Sequence, residues 1–244
     1  MIQLSLPNFL KVVRDYEENA SEDRLFWECH SALTNYLTEP IRREQCTVLD
    51  HFLRDWRSQR VQIDWEQLEY LWTPEVQLMS SKCSPFRLES CDLNQVLDVS
   101  GHRIPLKETI RVLYGRLQQV HGVGATNASK LLAVAMPDLF MMWDEQNIRG
   151  VQSIPSTQSG YLRLMEEMRG YCDKLIDQIS RNEGLTPNEA AKWLRRLPLC
   201  PNWNSYVPQC KPIAKLLDEY NYRLPKWLDK VGFFVTSIQK DAQK

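Results

Sequence analysis

Apolar residues recur three or four positions apart through almost every stretch of this chain, the spacing that lines one face of an α-helix. Residues 8–19 and 23–37 show it. Behind Pro40, which suits a first helical position, Ile41, Val48, Leu49, Phe52, Leu53 and Trp56 give the run 41–59 an apolar side. A shorter helix can start at Asp64. After Pro105 a single stripe forms from Leu106, Ile110, Leu113, Leu117 and Val120, with Lys107 and Arg111 off it. Residues 160–184 read as one long helix with a glycine stop at Gly184. Thr186, Pro187 and Glu189 then supply a cap, a first-position proline and a capping-box glutamate for the next helix. Residues 211–222 make a further helix, and GFFVTS (232–237) suits helix or a short strand. Residues 73–104, with their Pro, Ser and Cys, predict short turns and helical pieces and a hairpin near Val99–Ile104. Strand and helix do not alternate, so a nucleotide-binding parallel sheet is excluded and the expected class is all-α.

A length of 244 residues suits one globular unit or two small lobes around a cleft, with enough core to need no disulfide or metal staple. No apolar run approaches the roughly 20 residues of a membrane span, and the first residues lack the order of a signal peptide. The expectation is a soluble, cytoplasmic chain with no membrane partner. Seven cysteines without a CxxC pair predict reduced thiols, several buried in helices. The scattered His30, His51, His102 and His121 offer no metal-ligand spacing, so no metal is expected. The net charge of −1 hides an asymmetry. Residues 1–100 carry 10 Lys+Arg against 17 Asp+Glu, residues 101–150 carry 6 against 4, and residues 151–244 carry 14 against 10. A polyanion would therefore meet a local basic patch rather than the whole surface.

Two of only nine glycines sit together in Gly122-Val123-Gly124, between two strong helical patterns. The pair allows a tight reversal with positive φ and a close approach to the backbone. The helix that begins just after Gly124 starts with unpaired N–H groups, so turn and helix start together form a phosphate-sized anion site. Val123 would plug the turn into the two helices. Downstream come Lys130-Leu131-Leu132, Pro137-Asp138-Leu139-Phe140 and Trp143-Asp144, with Asp144 twenty positions after Gly124.

On these residues the chain resembles the helix–hairpin–helix DNA glycosylase superfamily, the base-excision enzymes related to endonuclease III. It looks closest to a poorly characterised set with a Lys-Leu-Leu…Pro-x-Leu-Phe…Trp-Asp signature. Gly160-Tyr161, Met165 and Met168 continue the likeness, which is strong over about 50 residues. The resemblance implies an all-α, two-lobed fold. The lobe over residues 40–142 would hold the helix–hairpin–helix at about 105–135, and residues 143–244 would form a C-terminal helical lobe packed with the helices of residues 1–39. It implies a monomeric DNA-repair enzyme, nucleoid-associated in a prokaryote, that flips a damaged or mispaired base from double-stranded DNA and hydrolyses its N-glycosidic bond.

Asp144 would be the catalytic carboxylate, at the cap of a helix in EQNIRG. Gly122, Val123 and Gly124, with His121 and Thr126 beside them, would meet the DNA backbone, with a monovalent cation at the turn and no small-molecule cofactor. Thr126 stands where lysine-bearing members carry their Schiff-base lysine. The nearest lysine here is Lys130, one helical turn on and on the same face. The iron–sulfur cysteines of some members are absent.

The chemistry explains these residue types. Breaking an N-glycosidic bond builds positive charge on the sugar, which a carboxylate can stabilise while orienting water. A lysine of lowered pKa can instead attack the sugar and form an imine. Trp143, Tyr161 and Trp203 are candidate walls for a flipped base. Each signal has a plainer reading. Asp144 can be only a cap, and Lys130 can pair with Asp144 or with a helix C-terminus. Arg103, Lys107, Arg111, Arg116, Arg195, Arg196, Lys211 and Lys215 can be solvated faces. Trp27, Trp56, Trp65 and Trp72 suit the core, and Met141, Met142, Met165 and Met168 fill gaps. The rival readings are a non-catalytic DNA-binding protein that kept the turn, and a helical protein-interaction module.

Overall fold

The structure is a computed structural model and describes residues 5–19, 23–33, 43–56, 62–144, 153–196 and 211–230. Local sequence signals set most helix boundaries. Helices α1 (Leu6–Asn19), α2 (Asp23–Ala32) and α3 (Arg43–Asp55) cover the described part of the first periodic stretches. Asp64 caps α4 (Trp65–Leu71), its carboxylate accepting the Gln67 N–H at 2.9 Å. Thr73 caps α5 (Pro74–Cys83), which begins on a proline.

A two-stranded antiparallel sheet follows, β1 (Val96–Val99) against β2 (His102–Pro105), with Val96 opposite Pro105 and Val99 opposite His102. Its turn residues Ser100 and Gly101 both have positive φ, 53° and 80°, as a tight two-residue hairpin demands. Asp98 holds that turn by accepting the Gly101 N–H at 2.8 Å. The strands start three residues before the expected position, and α5 is a full helix rather than a helical piece, because Thr73 and Pro74 nucleate it cleanly.

Helix α6 (Leu106–Gln118) buries the whole stripe expected of it, and α7 (Ala125–Ala135) is buried on every side from Asn127 onward. The long α8 (Gln158–Glu183) starts on a Thr157 cap and stops at Gly184, whose φ of 64° is the left-handed terminus expected of a glycine. The capping box predicted at Thr186 and Glu189 opens α9 (Pro187–Arg195). Helix α10 (Ile213–Lys230) extends past the expected end at residue 222. Among the described residues the chain is thus mostly helical, with ten helices. None of these helices is long and apolar enough to cross a membrane.

Packing follows the apolar faces. Helix α1 lies against α10 and α8, α2 against α3 and α7, and α6 against α5, α7 and α8. Helix α7 is therefore walled in by α2, α3 and α6, which is why a lysine on it can lie in the interior. Helices α6 and α8 meet closely: Gln158 fills the space where a Gly115 side chain would stand, and Tyr114 stacks on Tyr161 with ring centroids 4.2 Å apart. An ion pair between buried Glu89 and half-buried Arg195 ties the turn after α5 to α9.

The buried side chains form one continuous set that includes Trp27, Trp72, Met141, Met142, Met165 and Met168. Trp56 and Trp65 are half-buried and pack on it. Cys29, Cys83, Cys91 and Cys172 are buried free thiols, and Cys46 is a half-buried one. Burial pushes the Cys29 and Cys83 thiols up to about 12, so they are inert at neutral pH. Pro40, the helix expected over EQNIRG, Trp203 and GFFVTS lie outside the described residues.

Candidate functional site

The Gly-Val-Gly turn closes the six residues between α6 and α7. Gly122 has φ +80°, and a Cβ built there would lie 2.5 Å from the Gln62 carbonyl oxygen, so both conformation and space require glycine. The segment 62–67 presses on the turn and holds it: the Asp64 N–H donates to the His121 carbonyl at 3.1 Å and the His121 N–H donates to Gln67 Oε1 at 2.6 Å. Val123 is buried, the plug expected of it, and its N–H donates to the Val120 carbonyl at 3.0 Å.

Gly124 differs from expectation. Its φ is −78°, extended backbone that any residue adopts, because it sits at the N-cap of α7 rather than inside the reversal. No side chain caps the helix there, and a Cβ at Gly124 would meet open space. Nothing among the described residues calls for glycine at this exposed position. Thr126 is half-buried in the first turn of α7, and the His121 side chain is exposed. Asn127, which the sequence reading passed over, pins the turn by donating from Nδ2 to the Gly122 carbonyl at 3.2 Å. The signal for it was an asparagine in the first turn after a glycine pair.

Residues 141–144 carry no regular secondary structure, and three buried side chains from three helices fix the residues before Asp144. Tyr161 of α8 donates its hydroxyl to the Met141 carbonyl at 2.7 Å. Asp218 of α10 accepts the Met142 N–H at 2.9 Å. Ser129 of α7 accepts the Trp143 N–H at 2.8 Å and donates to the Thr126 carbonyl at 2.8 Å. Asp144 itself is half-buried. Side chains 14 to 76 residues away in sequence thus converge on the residues before Asp144.

Lys130 of α7 is near enough to feel the charge of Asp144. Its side chain runs inward from α7, is 4% exposed, and donates from Nζ to the Trp56 carbonyl just past α3 at 3.4 Å, with the Trp56 ring 5.1 Å away. Burial brings the Lys130 ammonium down to about 8, while the negative charges of Asp144 and Asp218 pull it back up. Of its plain readings, the bond to a helix C-terminus is present, and the charge of Asp144 acts on the ammonium. Asp218 is held well above the usual carboxylate range by burial, against the opposing pull of Lys215, the Met142 N–H and Lys130.

Other candidates take different places. Trp143 and Tyr161 belong to the core, 1% and 0% exposed, and support the Asp144 segment instead of walling an open pocket. The cause is the pull of α7 and α8 on residues 141–143 described above. Lys211, just before α10, and Lys215, on it, are buried rather than solvated as expected: Lys211 bonds Glu219 at 2.8 Å, and the Lys215 ammonium lies among the rings of Tyr16, Phe26 and Trp56. Arg103 and Arg116 are exposed, Lys107 donates to Asn94, and Arg111 is engaged by Glu108 and Gln158. A cavity of about 940 Å³ opens beside His121, walled by Asp50, Arg54, Asp64, Glu66 and Glu69 among others. Its carboxylates outnumber its cations, and Arg54 is already paired with Asp50 at 2.6 Å.

Comparison with protein-family models, curated proteins and solved structures gave no match. Among the described residues no group of three or more His, Cys, Asp or Glu side chains is arranged to hold a metal ion.

Proposed function

We propose that this chain is a helix–hairpin–helix DNA glycosylase-like enzyme of base excision, which flips a damaged or mispaired base from a duplex and hydrolyses its N-glycosidic bond with Asp144. In this reading residues 40–142 carry the turn, residues 1–39 and 143–244 complete the other side, and the cleft between them receives the base. The observation that carries it is the three-helix support of residues 141–143, which presents a half-buried Asp144 whose charge reaches an interior lysine. A carboxylate that only capped a surface helix would need no such scaffold.

The Gly122–Gly124 turn and the uncapped start of α7 suit a DNA phosphate, with the open space at Gly124 leaving room for it. A monovalent cation fits there: Asn127 Oδ1 is a buried oxygen with no hydrogen-bond partner, beside the Gly122 carbonyl that Asn127 already engages. When bound, the cation supplies positive charge toward the phosphate. Asp144 then stabilises the charge that builds on the sugar and orients the attacking water. Lys130, interior and engaged with the Trp56 carbonyl, supports Asp144 as a countercharge. Its burial favours that role over attack on the sugar, and so favours simple hydrolysis over a lyase step.

A second reading, a non-catalytic DNA-binding protein, is favoured by Thr126 at the position where a nucleophilic lysine would stand. Binding to two duplexes separates the readings, one with a cationic pyrrolidine abasic mimic and one with a neutral abasic analogue, since the cation resembles the charged transition state. The enzyme reading predicts strong preference for the cation, lost in Asp144→Asn with the fold retained. Equal binding to both would refute catalysis and leave the second reading. No binding to either would refute both.

A further inference from the structure

Helix α10 and the residues leading into it bring a dense set of charges into the interior: Lys211, Lys215, Asp218 and Glu219 are each 5% exposed or less. Lys211 and Lys215 both approach Glu219 Oε1, at 2.8 and 3.7 Å. Among the described side chains of the helix, that leaves Asp218 as the carboxylate tied to the segment of the candidate site, through the Met142 N–H at 2.9 Å. The two ammoniums nearest it meet at one ring, with Lys130 Nζ 5.1 Å and Lys215 Nζ 5.5 Å from the Trp56 centroid. Met142 and Trp143 connect the ends of this arrangement, because Trp143 is held by Ser129, the residue before Lys130.

We infer that Asp218 is a positioning residue of this site: it anchors the segment that presents Asp144 and supplies the countercharge that keeps the Lys130 ammonium in the interior. The inference rests on the glycosylase reading for the word site, on the bond to the Met142 N–H for the anchor, and on the shared Trp56 ring together with the pull of Asp218 on Lys130 for the countercharge. Buried cations are retained only when paired or hydrogen-bonded. Lys130 has one long bond to a carbonyl, and its remaining compensation comes from the charges of Asp144 and Asp218. The groups acting on Asp218 in turn are Lys215 and Glu219 on its own helix, Lys130 from α7 and Tyr161 from α8. Lys211, one turn before Lys215, is committed to Glu219. No neighbour in this set duplicates the link from α10 to Met142.

Asp218→Asn and Asp218→Ala separate the two functions. The asparagine oxygen can still accept the Met142 N–H and carries no charge, while alanine removes both. Protein labelled with 13C at lysine Cε is titrated by NMR, and the Lys130 signal is assigned by its loss in Lys130→Met. The native Lys130 midpoint near 8 should fall by on the order of one pH unit in Asp218→Asn. The Met142 amide should keep its slow hydrogen exchange in Asp218→Asn and lose it in Asp218→Ala. Coupling is reciprocal, so Lys130→Met should raise the Asp218 carboxyl midpoint by the same amount, which keeps the test open even where an Asp218 variant does not fold. An unchanged Lys130 midpoint, or an unchanged Asp218 midpoint in Lys130→Met, overturns the countercharge. Fast Met142 exchange in the native protein overturns the anchor. None of these readouts contains DNA, so a native protein indifferent to the cationic mimic would sink the glycosylase reading and leave the coupling standing.

Discussion

Replacing each glycine of the turn by alanine should have opposite consequences, although the two sit two residues apart. At Gly122 an alanine must hold φ +80°, which costs about 1–2 kcal/mol for an L-residue. Its Cβ would also stand 2.5 Å from the Gln62 carbonyl oxygen and 2.9 Å from Ile63 Cα. Both are main-chain atoms held by the Asp64–His121 bond, so they cannot swing aside as a side chain would. Making room adds about 1–3 kcal/mol, and the lower entropy of the unfolded chain returns roughly 0.5. The net loss is about 3 kcal/mol, or roughly 6–12 °C in Tm for a chain of this size. At Gly124 the extended φ and the open space remove both penalties. The weaker N-cap and the stiffer unfolded chain then nearly cancel, within about 0.5 kcal/mol. Thermal and urea unfolding followed by far-UV circular dichroism gives both numbers. Duplex binding by anisotropy on the same samples should fall for Gly124→Ala despite its unchanged stability, because its Cβ fills the space assigned to a phosphate. Equal destabilisation by the two substitutions would refute the geometric argument, and full DNA affinity in Gly124→Ala would refute the phosphate site.

Other expectations concern the support of Asp144. Ser129→Ala removes the acceptor of the buried Trp143 N–H and should cost about 1–3 kcal/mol by urea unfolding, with weaker cationic-mimic binding as the Asp144 segment loosens; an unchanged midpoint would mean the segment is held elsewhere. The Lys130 ammonium gives a pH signature whose sign is fixed. Its folded value of about 8 lies below the ordinary 10.5, so the unfolded chain binds more protons between those values and stability from this group rises with pH across that window. The cost present below pH 8 amounts to about 3 kcal/mol. The inert thiols push the opposite way, so the measurement is the stability of the native protein minus that of Lys130→Met, from pH 7 to 10.5. A difference that stays flat or falls would show that the amine is solvated.

Much of this architecture follows from local rules. The stripe from Leu106 to Val120, the Thr186 capping box and the Gly184 stop needed no tertiary information, because a helix face and its caps are written within a few residues. The position of α5 was less legible, since Pro, Ser and Cys at 73–85 fit turns and helix starts equally well. Gly122 was readable as the residue that reverses the chain. The different role of Gly124 was not, for sequence cannot tell a positive φ from an extended N-cap.

The candidate site shows the same division more sharply. The sequence by itself determined that the chain is helical, that a glycine turn precedes α7, and that Lys130 and Asp144 are the reactive types that follow it. Only the tertiary structure decided that Lys130 faces inward to Trp56, that Lys211 and Lys215 are interior cations, and that Tyr161 and Trp143 brace the core. Asp218 was not legible at all, since its partner Met142 lies 76 residues away and nothing in LLDEYNY marks one carboxylate over its neighbour. The physical reason is range. Periodicity, capping and turn conformation are set by neighbours along the chain, whereas burial, and the pKa that burial imposes, depends on which helices close over a residue.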